Sequence, residues 1–110
     1  MPESRQKQYL YHFEFARPEL RDLDAWSEHD RHIGKAHYAY LKKATEEGTV
    51  ILAGSSTDGI GPALVIFEAE AEQDARLFMQ SDPFVSNGLM RATLHPFNAA
   101  LVRGVHREDS

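Results

Sequence analysis

Thr49-Val50-Ile51-Leu52-Ala53-Gly54, then the loop-like Ser55 to Pro62, then Ala63-Leu64-Val65-Ile66-Phe67-Glu68-Ala69 form the centre of the chain's pattern. Two short apolar runs flank a segment crowded with Gly, Ser and Asp. Runs of this length, bounded by turn residues, read as buried strands. They are close enough in sequence to pair as a hairpin. What flanks the hairpin on each side then sets the class.

On the N-terminal side, Ser27 reads as a helix N-cap, with Asp30 three residues later imitating a capping box. Ile33, Ala36, His37, Tyr40, Leu41 and Ala44 recur at helical spacing and define one face. The helix is expected to run to about Glu47, with Gly48 as a left-handed stop. Gly34 is a weak spot within it. Further upstream, Tyr9, Tyr11, Phe13 and Phe15 alternate with Leu10, His12 and Glu14. That period of two predicts a strand, ended by Arg17-Pro18. Glu19 to Trp26 reads as a polar connection.

On the C-terminal side, Glu70 to Ser81 predicts a second helix with Ala71, Ala75, Phe78 and Met79 on one face. Asp82-Pro83 ends it. Phe84 to Gly88 reads as a short connection. A last strand spans about Leu89 to Val102, and Pro96 makes it bend or lie at an edge. The termini are polar, including a tail from Gly104 to Ser110.

The order is β-α-β-β-α-β. That is the ferredoxin-like α+β arrangement, an antiparallel sheet with two helices on one face. Residues 1–110 read as a single domain with its core at about 9–102. The opposite sheet face would be apolar and uncovered, so a homodimer through that open face is expected.

Composition narrows the function classes. The net charge is -5, from 17 acidic and 12 basic residues. Nucleic-acid binding needs clustered cations, and Lys42-Lys43 is the one adjacent pair, so no nucleic-acid partner is expected. With no cysteine, disulfides, thiolate catalysis and Cys-based zinc sites are excluded. No apolar run approaches the ~20 residues that span a bilayer, and the N-terminus lacks an apolar signal core, so no membrane association is expected. Cytoplasmic localisation is the expectation.

His37-Tyr38-Ala39-Tyr40-Leu41, then Gly48, then Leu52-Ala53-Gly54 resemble the YciI-like (YCII-related) pattern of a helix with H-x-x-Y-L leading to a strand that ends in A-G. Asp82-Pro83-Phe84, Gly88 and Pro96-Phe97 are similar to that family's D-P-F/Y and terminal P-W/F signatures. The resemblance runs from Tyr9 to about Val102. It implies a ferredoxin-like fold, dimers of the dimeric α/β barrel group, and a cleft whose His and Asp are proposed as a catalytic pair. Those roles fall on His37 and Asp82. Some members of the family are linked to dechlorination or elimination on oxidised aromatic rings, and the wider fold group includes muconolactone isomerase-like enzymes. The family motif continues A-G-P, whereas this chain has Gly54-Ser55-Ser56. That change is expected to reshape the pocket mouth or add hydroxyl donors.

The residues themselves leave two readings of the pair. His37 lies on an apolar helix face and needs a partner for its N–H. A carboxylate such as Asp82 would orient the ring and stabilise its protonated form, which makes a workable general base. The plainer reading has His37 as a satisfied core residue and Asp82 as a turn residue before proline. The resemblance tips the balance toward function.

Tyr40, Ser55, Phe84 and Arg31 are the candidate ligand contacts: two rings to shape an apolar site, one hydroxyl, and one cation for a carboxylate. A serine mechanism is disfavoured, because Ser55 and Ser56 lack the G-x-S-x-G elbow. His29 and His32 have metal-like spacing, but no second cluster completes a site, so no metal and no cofactor are expected. Gly59-Ile60-Gly61-Pro62 precedes a strand rather than a helix and is not a phosphate loop. His12 and His95 are read as structural, with a place in the pocket or the dimer seam as their alternative.

The expected function is a small cofactor-free enzyme of lyase, isomerase or hydrolase type. It would use a His-Asp dyad on a small oxidised molecule, aromatic-derived compounds included. The alternative is a non-catalytic small-ligand-binding or accessory dimeric domain.

Overall fold

A computed structural model describes residues 7–104. The polar segments read at either end, residues 1–6 and 105–110, lie outside the described residues. The elements are β1 (Lys7–Phe15), α1 (Glu28–Glu46), β2 (Val50–Ser55), β3 (Ala63–Ala69), α2 (Glu72–Gln80), α3 (Pro83–Ser86) and β4 (Met90–Phe97). The four strands form one antiparallel sheet in the order β2-β3-β1-β4. This is the ferredoxin-like α+β fold.

Alternation along β1 sorts its side chains. Tyr9 and Tyr11 are buried under the helices, and Leu10, His12 and Glu14 face the other way. Val65 and Phe67 of β3 join the buried layer. Leu41 and Ala44 of α1 and Ala75 and Met79 of α2 close over it. A second, smaller cluster gathers Leu20, Ile33 and Leu89, with Phe15, Trp26, Phe84 and Met90 packed against it.

α1 begins as its sequence dictates. The Ser27 hydroxyl accepts the Asp30 N–H at 3.0 Å, and the Asp30 carboxylate accepts the Ser27 N–H at 3.0 Å. These reciprocal bonds hold the Asp30 carboxyl below its ordinary range. Gly48, at φ 92°, takes the left-handed turn that leads into β2.

Four expectations are corrected. Residues 19–26 are not simply a polar link. They form two 3-10 turns, Pro18–Arg21 and Leu23–Ala25, and Leu20 is buried there. Ala36 is exposed and lies off the inward face of α1, on which Ile33, Leu41 and Ala44 are buried, and the Trp26 ring lies against Gly34. Phe84 to Gly88 is not a plain connection. Asp82 both stops α2 and caps α3, with Pro83 at its first position, where a missing N–H costs nothing. The last strand ends at Phe97 rather than Val102. Pro96 sits opposite Tyr9 on an edge strand, which tolerates a residue without an N–H. Among the described residues, no helix is long and apolar enough to cross a membrane.

Candidate active site

The inward face of α1 and the α2–α3 junction meet over the centre of β1. His37 comes from the helix and Asp82 from the junction, 45 positions later. Their Nδ1 and Oδ1 atoms are 2.7 Å apart. Asp82 has no exposed surface. A buried carboxylate needs several donors, and three converge here. Besides His37, the Tyr11 hydroxyl donates to Oδ2 at 2.9 Å and the Phe84 N–H donates to Oδ1 at 3.0 Å. The backbone N–H of Asp82 is itself bonded to the Met79 carbonyl at 3.2 Å.

The histidine ring is clamped as well as oriented. Phe84 stacks on it with centroids 3.9 Å apart and planes 22° apart. Phe13 meets it edge to face at 5.6 Å. Trp26 in turn lies edge to face on Phe84, and its Nε1–H donates to the Leu20 carbonyl at 2.7 Å. The 3-10 segment thus braces the site from outside.

With Nδ1–H donating to the carboxylate, the neutral ring carries its lone pair on Nε2. Among the described residues, Nε2 has no protein partner, and the side chain keeps 17% of its exposure. His37 lines a cleft of about 740 Å³. Aromatic rings of Phe13, Phe15, Trp26 and Phe84 form much of its wall, and Ser55 at the end of β2 and Ser56 just after it contribute hydroxyl-bearing residues. A carboxylate-backed imidazole at such a cleft has the parts of a general acid/base.

The expected ligand residues divide. Ser55 and Phe84 line the cleft. Tyr40 does not; its hydroxyl donates to the Phe78 carbonyl at 2.9 Å and its ring stacks on Phe78. Burial, and next the charge of Asp82, push that phenol up to about 12. Arg31 is also away from the lining, because its guanidinium donates to the Leu23 carbonyl at 2.7 Å and secures the second 3-10 turn. His12 and His95 sit on the opposite sheet face, with their Nε2 atoms 3.1 Å apart. Ser56 spends its hydroxyl on the Pro62 carbonyl. His29 and His32 are exposed, and among the described residues no group of three or more acids and histidines is placed to hold a metal ion.

Tyr11 is the partner that sequence reasoning missed. Its hydroxyl was the available signal: a phenol in a buried aromatic stripe must find an acceptor. Burial first, and the neighbouring Asp82 charge second, push its phenol far above the ordinary tyrosine range.

Fold and site together define a ferredoxin-like α+β protein with a carboxylate-backed histidine facing an aromatic cleft. The chain belongs to the YCII-related domain family, which matches residues 11–98. No curated protein matches the chain. Among solved structures it is similar to the 5-chloro-2-hydroxyhydroquinone dehydrochlorinase of Burkholderia phenoliruptrix AC1100, in complex with 2,5-dihydroxybenzoquinone. The TM-score is 0.59 at 22% identity, covering 83% of this chain and 93% of that one. At that identity the likeness speaks for the fold.

Proposed function

We propose that this protein is a small cofactor-free enzyme that uses His37 as general acid/base and Asp82 as its orienting carboxylate. The substrate class is a small oxidised, aromatic-derived molecule, and elimination is the favoured reaction. The carrying observation is the 2.7 Å contact between His37 Nδ1 and Asp82 Oδ1, with the ring lining the cleft.

In this reading Nε2 takes a proton from a carbon or hydroxyl beside a carbonyl. The freed electron pair forms the new double bond, and a leaving group on the neighbouring carbon departs with its bonding electrons. Asp82 stabilises the imidazolium until the proton passes to the leaving group or to water. Phe84 and Ser55 would hold the ring of the substrate. The dehydrochlorinase name of the structural neighbour, and its dihydroxybenzoquinone ligand, support this substrate class.

We also infer a homodimer formed through the open sheet face. Leu10, Leu64 and Ile66 are brought side by side there by the strand register, and Leu52 on the adjoining edge strand is 52% exposed. A patch of this kind is stabilised by a partner.

The test is a turnover screen against halogenated hydroxyquinones, lactones and simple esters, with His37→Ala alongside. Activity that survives the substitution undiminished removes His37 from the mechanism.

A further inference from the structure

The chain carries 17 acidic residues and a net charge of -5, yet among the described residues no Asp or Glu lines the cleft. Asp82 stands behind the His37 ring rather than on the lining. The charged lining residues are instead Arg21, from the end of the first 3-10 turn, and Lys42, from α1. Both are exposed, which puts them at the rim. Lys42 is partly neutralised by Glu46, 2.6 Å from its Nζ. Among the described residues Arg21 has no acidic partner. Among the described residues, an acidic protein thus has one aromatic-walled cleft without carboxylates on its lining and a guanidinium without an acidic partner at its edge.

We propose that the cleft selects an anionic planar ring, a phenolate, enolate or ring carboxylate, and that Arg21 is the main reader of its charge, with Lys42 as the lesser one. Rings of the substrate stack on the aromatic wall, and a guanidinium suits a delocalised oxyanion better than an ammonium does. The same cation favours the negative charge that develops on a ring oxygen when His37 takes a proton. This inference rests on the cleft being the reactive site, and it adds the charge of the substrate and the residue that reads it.

Trp26 is the chain's single tryptophan and lines the cleft, so its fluorescence reports occupancy without turnover. The probes are 2,5-dihydroxybenzoquinone, ionised at neutral pH, and its dimethyl ether, a neutral ring of the same core. The expected result is binding of the anion at least about tenfold tighter than the ether, a preference that weakens with added salt. Arg21→Gln should remove most of the preference by weakening the anion alone, and Arg21→Gln with Lys42→Gln should abolish it. Equal binding of the two rings overturns the proposal, as does quenching by neither, or a preference intact in the double variant. If the anion binds selectively but His37→Ala retains full activity, the proposed reaction fails and the charge selectivity stands.

Discussion

The Tyr11 hydroxyl donates a 2.9 Å hydrogen bond to Asp82 across a sequence separation of 71 positions. It occupies the carboxylate oxygen that His37 does not use. The two oxygens of Asp82 therefore divide the site: one is anchored in the strand layer, and the other holds the imidazole and the first turn of α3. A rigid anchor on the buried side keeps the carboxylate from rotating away from the histidine.

Asp82→Asn keeps the shape of this side chain but loses the charge that stabilises an imidazolium. Turnover on any substrate found in the screen should fall by about 10²–10⁴-fold. Asp82→Ala should in addition destabilise the fold by on the order of 3 kcal/mol, because buried donors on Tyr11 and Phe84 lose their acceptor. Chemical denaturation and steady-state kinetics separate the two effects. An Asp82→Asn variant with unaltered kcat would contradict the orienting role.

Tyr11→Phe removes one hydrogen bond and leaves the ring packed against Phe13 and Phe67. The expected cost is about 1 kcal/mol by urea unfolding. The alkaline limb should change too. Tyr11 and Tyr40 both have folded pKa values above the unfolded value of 10.0. Their contribution to stability is present below pH 10 and is lost as pH rises, for Tyr40 through about 12. Between pH 10 and 12, wild type should lose stability more steeply than Tyr11→Phe. Parallel stability curves for the two proteins would refute the linkage.

Gly34 makes room for the indole that braces Phe84. A Cβ at this position would stand 3.3 Å from the Trp26 ring and 3.8 Å from Phe84. Gly34→Ala gains helix propensity of about 1 kcal/mol, which offsets a displacement of a few tenths of an ångström. Gly34→Leu has no such escape and should lower stability by about 1–3 kcal/mol. Its Trp26 emission should shift toward that of a solvated indole. Unshifted emission would show that the ring has room the packing does not indicate.

Leu52 lies on the edge strand opposite Ile66, 52% exposed. If the open sheet face is the dimer seam, Leu52→Glu buries a charge there and should shift the protein to monomer. Sedimentation at low and high concentration reads this directly. A wild-type chain that sediments as a monomer at every concentration sinks the dimer.

Much of the fold was legible along the chain because its signals are local. Alternation of Tyr9, Tyr11 and Phe13, the Ser27–Asp30 box and the Gly48 stop each act over a few residues, and each sits where the periodicity places it. The misread segments are those where one residue serves two elements or packs at long range. Asp82 both ends α2 and caps α3, and Leu20 is held by Ile33 and Leu89, which are distant in sequence.

The candidate site divides the same way. Residue spacing alone puts His37 on an apolar helix face in need of a polar partner, because burying an imidazole N–H unpaired is costly. The partner's geometry, the third donor from Tyr11 and the exclusion of Tyr40 and Arg31 from the cleft come from the folded packing. Residues 45 and 71 positions apart meet through sheet order and helix packing, and hydrogen-bond distance is a property of that packing rather than of spacing along the chain.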